Sequence, residues 1–263
     1  MSVPVGVAAH GLIELSAGVV DHVWLAGSGD GGAPLVFLHE GLGSLDLWRD
    51  FPARLVARTG RDALVWSRHG YGASRVVREP RAVRYMHDEA LSVLPELLDR
   101  LGVDTPVLVG HSDGASIALI HAGRAARAVA GVVALAPHVV VEDRTIAGIE
   151  AARRRYRETD LPARMARHHA DADATFWGWN DVWLSPAFRS WSIEDHLPGV
   201  RCPVLAMQCV DDDYGTAEQL QRIAAGASGP VSVQLVAGRG HSPHLVAAND
   251  VTERIVQWLA GVG

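Results

Sequence analysis

The chain has 263 residues, 48% hydrophobic and 21% charged, with a formal net charge of −6. That length suits one large α/β domain or two small ones, and the acidic balance argues against a nucleic-acid partner, which selects for basic surfaces. No apolar run approaches the ~18 residues that a membrane span needs. All 24 positive charges are arginine, which excludes lysine Schiff-base chemistry, covalent pyridoxal phosphate and a P-loop lysine.

The N-terminal stretch MSVPVGVAAHGLIELSAG has no basic patch ahead of an apolar core, so no secretory signal is expected. Two β-like runs, GLIELSA and VVDHVWLA, meet at a turn on Gly18, and GSGDGGAP is loop by composition. Six short apolar runs follow: PLVFLH, ALVWS, PVLVG, AGVVALAP, PVLAMQC and VSVQLV. They are rich in Val and Leu with little polar alternation, the pattern of strands buried on both faces of a parallel sheet. Segments such as HDEALSVLPELLDRLG lie between them, apolar at helical spacing and ending near Gly102. This rhythm predicts an α/β chain with a mostly parallel, doubly wound sheet and helices on both faces.

Residues 138–197 break the rhythm, with no obvious sheet strand. They are arginine-rich at first (AARRRYR), then tryptophan-rich, carrying Trp177, Trp179, Trp183 and Trp191. A helical cap is expected here, resting on the C-terminal edge of the sheet, where open α/β folds bind ligands. The core domain is then 1–137 with 198–263. Cys202 and Cys209 fall in one apparent strand, RCPVLAMQCV. Seven residues of strand span roughly 23 Å and the odd offset opposes the side chains, so no disulfide joins them. Without zinc-finger spacing either, the pair fits a reducing, cytoplasmic setting.

The stretch VLVGHSDGASI carries the chemistry. A buried strand runs into Gly110-His111-Ser112-Asp113-Gly114 and then a helix, ASIALIHAGRA. G-x-S-x-G between strand and helix is a nucleophile elbow, a turn so sharp that small residues must flank the serine. The serine is presented at a helix N-terminus, where the dipole favours developing negative charge. A serine hydroxyl needs a base, and the base needs an orienting acid. The seventh run ends in MQCVDDDYG and the eighth is followed by AGRGHSPH. The chain order is therefore Ser112, an aspartate among 211 to 213, and His241.

With these motifs, LHEGLGS after the third run and SRHGYGAS after the fourth, almost the whole chain resembles the α/β-hydrolase superfamily, as a capped serine hydrolase. The resemblance implies oxyanion donors at the Gly41 and Asp113 N–H groups, since His39-Glu40-Gly41 stands where the family has His-Gly-X. It also implies Asp212 as the acid, three past the position of a common glycine that is Cys209 here. Three consecutive aspartates keep Asp211 and Asp213 open. Glu40 stands where a second glycine is common, and has two readings: a hydrogen bond stapling a nearby loop, or a group shaping the pocket or positioning water. The Asp113 carboxylate also has two: a favourable charge in the first helical turn, or a cation-recognising group, as in relatives that hydrolyse amino-acid esters.

Other residues have plain structural readings beside functional ones. His138 faces the pocket mouth or is structural. His168, His169, Asp171 and Asp173 resemble a metal cluster but read better as the polar face of a cap helix, so no metal is assigned. His111 reads as packing, and His244 is a second candidate base. The four cap tryptophans are partly cap core and partly pocket lining.

The resemblance implies a cofactor-independent serine hydrolase acting on a small-molecule substrate, a small, largely apolar carboxylic ester or related acyl compound, with no nucleic-acid or membrane partner. Thioesterase, amidase, amino-ester and carbon–carbon bond hydrolase readings stay open, although Ser242 stands where the last of these often carries Trp. Serine rather than aspartate in the elbow argues against the epoxide-hydrolase and dehalogenase branches. The rival classes are a slow or non-catalytic binding protein on this scaffold and a metal-dependent hydrolase using the cap histidines. Oligomeric state is not legible.

Overall fold

The structure is a computed structural model that describes residues 6–29 and 32–262. Residues 1–5 of the N-terminal stretch and residues 30 and 31 of the GSGDGGAP loop lie outside the described residues.

Each apolar run becomes a strand of one sheet. The hairpin comes first, β1 (Gly6–Leu15) and β2 (Gly18–Ala26), turning at Gly18 with φ 116°. Then come β3 (Leu35–Leu38), α1 (Phe51–Thr59) and β4 (Ala63–Ser67). The next helical stretch is α2 (Tyr85–Asp88), a π turn (Glu89–Val93) and α3 (Leu94–Leu101). The π turn leads into α3, whose second residue, Pro95, lacks the N–H for a regular i→i−4 bond. Gly102 ends α3 in the left-handed conformation that a glycine cap supplies. The chain continues through β5 (Val107–His111), α4 (Asp113–Arg124) and β6 (Gly131–Leu135).

Between β6 and the next strand the elements are helical: α5 (Asp143–Glu158), α6 (Leu161–Met165), α7 (Ala172–Trp183) and two 3₁₀ turns (Pro186–Ser190 and Glu194–Gly199). The sheet resumes with β7 (Val204–Asp211), α8 (Glu218–Gly226) and β8 (Val231–Arg239), and the chain closes with α9 (Pro243–Val246) and α10 (Ala248–Leu259). Strand β7 starts at Val204, so Cys202 precedes it rather than sharing it; both cysteines are free thiols.

The strand order is β1-β2-β4-β3-β5-β6-β7-β8, antiparallel at β1–β2 and β2–β4 and parallel from there on. Strand β3 shows why the runs lack polar alternation. Val36 and Leu38 enter one core with α3 and α4, while Leu35 and Phe37 enter the other with α1 and α10. Each such fully buried aliphatic side chain contributes roughly 1.5–3 kcal/mol relative to exposure. Because β5 lies between β3 and β6, the ends of all three converge at one edge, with β7 and β8 beyond. Among the described residues no helix is long and apolar enough to cross a membrane.

Candidate active site

The elbow's shape follows from its glycines. Ser112 sits at φ 53°, ψ −119°, a strained conformation that persists only when its surroundings fix it. A Cβ on Gly110 would run into the Gly114 carbonyl, and one on Gly114 into the Leu38 carbonyl. Helix α4 can therefore press against the ends of β5 and β3 only with glycine at both places.

Ser112, His241 and Asp212 form one hydrogen-bonded chain. Nε2 of His241 lies 2.8 Å from Oγ of Ser112, and Nδ1 lies 2.8 and 2.9 Å from the two Asp212 oxygens. Asp212 is fully buried and also accepts the Tyr214 N–H at 2.8 Å. Burial alone would raise its pKa, but the His241 hydrogen bond and charge outweigh it and hold the carboxyl below the usual range. Its neighbours turn outward: Asp211 faces Arg144 and Arg239, and Asp213 faces Arg239. The Tyr214 ring covers the imidazole of His241 at 4.7 Å. This arrangement can draw the proton from Ser112 and stabilise the imidazolium that results.

Among the described residues, neither the Gly41 nor the Asp113 N–H donates a hydrogen bond, so both are free for an oxyanion. The Gly41 loop is pinned from behind by residues that sequence reasoning missed. Buried Arg68 donates to the Glu40 carbonyl at 3.0 Å, and its own N–H donates to Nε2 of His39 at 3.0 Å. His39 in turn donates from Nδ1 to the Glu40 carbonyl at 2.7 Å. Arg68 belongs to SRHGYGAS, but a fully buried arginine has no sequence signature.

The Asp113 carboxylate is not a cation-recognising group. It is buried and accepts the Tyr85 hydroxyl at 2.5 Å, with Arg68 at 3.9 Å, while Tyr85 accepts the Trp183 indole N–H at 2.9 Å. Burial pushes the Asp113 carboxyl up and Arg68 opposes that. Its oxygens already face a hydroxyl and a guanidinium inside the protein. Glu40 touches His111, Nδ1 to Oε2 at 3.3 Å, and also lines the cavity.

That cavity, of about 180 Å³, opens on Ser112 between Leu42, Thr145, Ile149, Trp179, Trp183, Tyr214 and His138. The Trp179 indole lies hard against Gly41, where a Cβ would overlap it. Trp177 and Trp191 are corrections. Trp177 points out of the far side of α7, with Arg153 and Arg157 over its ring, because two residues along a helix turn a side chain to the opposite face. Trp191 is spent on packing, stacked on Phe188 at 5.3 Å beneath Trp183. His138 lines the cavity 5.4 Å from the His241 ring and makes no hydrogen bond through its ring among the described residues. Burial lowers its pKa to about 3, so it is a neutral imidazole.

His244 is no alternative base: it packs 4.9 Å from Trp48 and 5.1 Å from Phe51, and burial keeps it neutral. His169 accepts the Gly72 N–H at 3.1 Å and donates to the Leu42 carbonyl at 3.2 Å. Asp171 caps α7 through the Ala174 N–H, and Asp173 accepts the Tyr156 hydroxyl. Among the described residues no group of three or more His, Cys, Asp or Glu side chains is arranged to hold a metal ion.

Residues 35–254 match the alpha/beta hydrolase family. The chain belongs to the alpha/beta hydrolase family. A 93-residue stretch is 37% identical to the sn-1-specific diacylglycerol lipase ABHD11 of Danio rerio, covering 35% of this chain and only 27% of that relative's length. The chain also superposes on a proline iminopeptidase of Mycobacterium smegmatis (TM-score 0.75, 17% identity, 96% and 98% of the two chains covered). A third likeness is to an esterase from Exiguobacterium antarcticum (TM-score 0.74, 18% identity, 96% and 100% covered). At such identities the two structures show a shared fold.

Proposed function

We propose that this alpha/beta hydrolase is a serine hydrolase that cleaves a small, largely apolar carboxylic ester through an acyl-enzyme. The single observation that carries the reading is the hydrogen-bonded chain Ser112–His241–Asp212 beside two free backbone N–H groups. Nε2 of His241 takes the hydroxyl proton as Oγ of Ser112 attacks the ester carbon. The N–H groups of Gly41 and Asp113 hold the oxyanion, each supporting roughly 3 kcal/mol of barrier reduction. As the C–O bond breaks, His241 returns the proton to the departing alcohol. A water deprotonated by His241 then attacks the acyl carbon, the acid leaves, and Ser112 regains its proton. Asp212 keeps Nδ1 protonated and the ring in register throughout. These side chains supply the chemistry without a cofactor, and the two free thiols suit a reducing, cytoplasmic compartment.

Residues 138–197 act as the cap and contribute Trp179, Trp183, Thr145 and Ile149 to the acyl side. An apolar cavity of 150 Å³ accepts benzene, so the cavity of about 180 Å³ supports an acyl group of benzoyl or short branched size. The engaged Asp113 carboxylate weighs against an amino-ester substrate. The test is a panel of phenyl esters with acetyl, isobutyryl, benzoyl and decanoyl groups. Short branched or benzoyl esters are expected to give the highest kcat/KM, with turnover by Ser112→Ala cut by roughly 10⁴-fold or more. Preference for the decanoyl ester, or turnover by Ser112→Ala within about tenfold of wild type, would refute the assignment.

A further inference from the structure

We infer that Glu40 and the buried His111 form a positioning pair that holds the His241 loop in register with Ser112 and sets the alkaline edge of activity. The inference rests on the proposed roles of Ser112 and His241.

His111 is the last residue of β5, immediately before Ser112. Its Nδ1 lies 3.3 Å from Oε2 of Glu40, and its Nε2 lies 2.8 Å from the backbone carbonyl of His241. A carboxylate and a carbonyl are both acceptors, whereas a neutral imidazole carries one N–H. Both contacts are made only when the ring and the carboxyl together hold two protons. The imidazolium beside a carboxylate is one such state; a protonated carboxyl donating to Nδ1 is the other. Removing one proton leaves one contact without a hydrogen, and the His241 carbonyl can lose its tether. The pair thus ties together the ends of three strands: β3 through Glu40, β5 through His111 and β8 through the His241 loop. Glu40 is itself wedged over Gly43, where a Cβ would overlap its carboxylate.

The surroundings of the pair fix the sign of the pH dependence. Around the His111 ring stand Glu40 from the loop after β3, His138 after β6, Asp212 after β7, and His241 and His244 after β8. His39 lies beside Glu40, and Arg49 acts on His244. Burial alone would lower the pKa of His111, but the Glu40 hydrogen bond and the Glu40 charge outweigh it, and the net direction is up. Burial would likewise raise Glu40, and His111 reverses that. His39, His138 and His244 are held neutral by burial and add no opposing charge. The proton is therefore held to higher pH than an ordinary histidine holds its own, and is lost as pH rises beyond that. There the tether lapses and Ser112 loses a well-placed base.

Two measurements test this on the intact protein. The first is the rate at which a fluorophosphonate labels Ser112 across the neutral and alkaline range, in wild type, Glu40→Gln and, as control, Asp213→Asn. Glu40→Gln, whose amide N–H can donate to Nδ1 of a neutral ring while Nε2–H keeps the His241 carbonyl, is expected to move the alkaline edge about one pH unit or more away from neutrality, a gain of about tenfold above both edges. Asp213→Asn is expected to leave the edge in place. If Glu40→Gln instead slows labelling equally at every pH, Glu40 is merely packing and the inference fails. The second needs no variant: long-range ¹H–¹⁵N spectra of the wild-type imidazoles near neutral pH. Two protonated ring nitrogens, or a ring hydrogen-bonded to a protonated carboxyl, are expected at His111. An Nδ1 with neither proton nor hydrogen bond would overturn the pair. Should wild-type Ser112 not label at all, the catalytic reading fails, and the spectrum alone decides the proton count.

Discussion

The elbow and the tryptophan-rich segment face each other across one cavity, yet sequence determines them in different ways. At the elbow, backbone geometry leaves almost no choice. Gly110 and Gly114 are required by carbonyls within van der Waals reach, and Ser112 is held at φ 53° between them. In α7 the choice is collective. Trp179 and Trp183 are four apart, share a face and meet the cavity, whereas Trp177 lies on the other face. A site fixed by close backbone approach is specified residue by residue; a cavity wall is specified by helix phase.

This contrast can be broken most severely at the elbow. Ser112→Ala should lower kcat by roughly 10⁴–10⁶-fold with an unchanged fold, read by steady-state kinetics beside near-UV circular dichroism. Asp212→Asn should cost about 10⁴-fold in kcat, because Nδ1 loses the acceptor that fixes its tautomer. In wild type the sign of the acid response follows from the depressed Asp212 pKa. The stabilising pair with His241 is present above the ordinary carboxylate range and lost only as pH falls through the lower folded value. Acid unfolding of Asp212→Asn should lack that component.

The cap wall should respond by position. Trp183→Ala empties a fully buried site and removes the donor to Tyr85, so a loss of about 3–5 kcal/mol in denaturant unfolding is expected, together with a raised KM. Trp177→Ala should cost less than about 1 kcal/mol, from lost arginine contacts, with kcat/KM unchanged. Equal effects on KM at 177 and 183 would erase the distinction between the two faces of α7.

Much of the fold was legible because the apolar runs are continuous: all six became parallel strands, and GLIELSA with VVDHVWLA became the hairpin. The elbow was legible because steric necessity leaves a motif. Which aspartate meets His241 was legible only through family register, since Asp211, Asp212 and Asp213 are chemically alike and differ in where β7 ends. Arg68, Tyr85 and His111 were not read as site residues. Their roles depend on partners 28, 28 and 130 positions away: Glu40, Asp113 and the His241 carbonyl. Nothing local in a sequence encodes such pairings. The Asp113 carboxylate was open for the same reason, and its partner Tyr85 closed the question.

The central claim is that Ser112 is an activated nucleophile, and covalent labelling tests it most directly. Folded protein would be treated with a fluorophosphonate and examined by intact-mass and peptide-level mass spectrometry, with Ser112→Ala alongside. The account predicts one adduct per chain, on the peptide containing Ser112, and none in the variant. Adducts elsewhere, or an unlabelled wild type that is demonstrably folded, would contradict it.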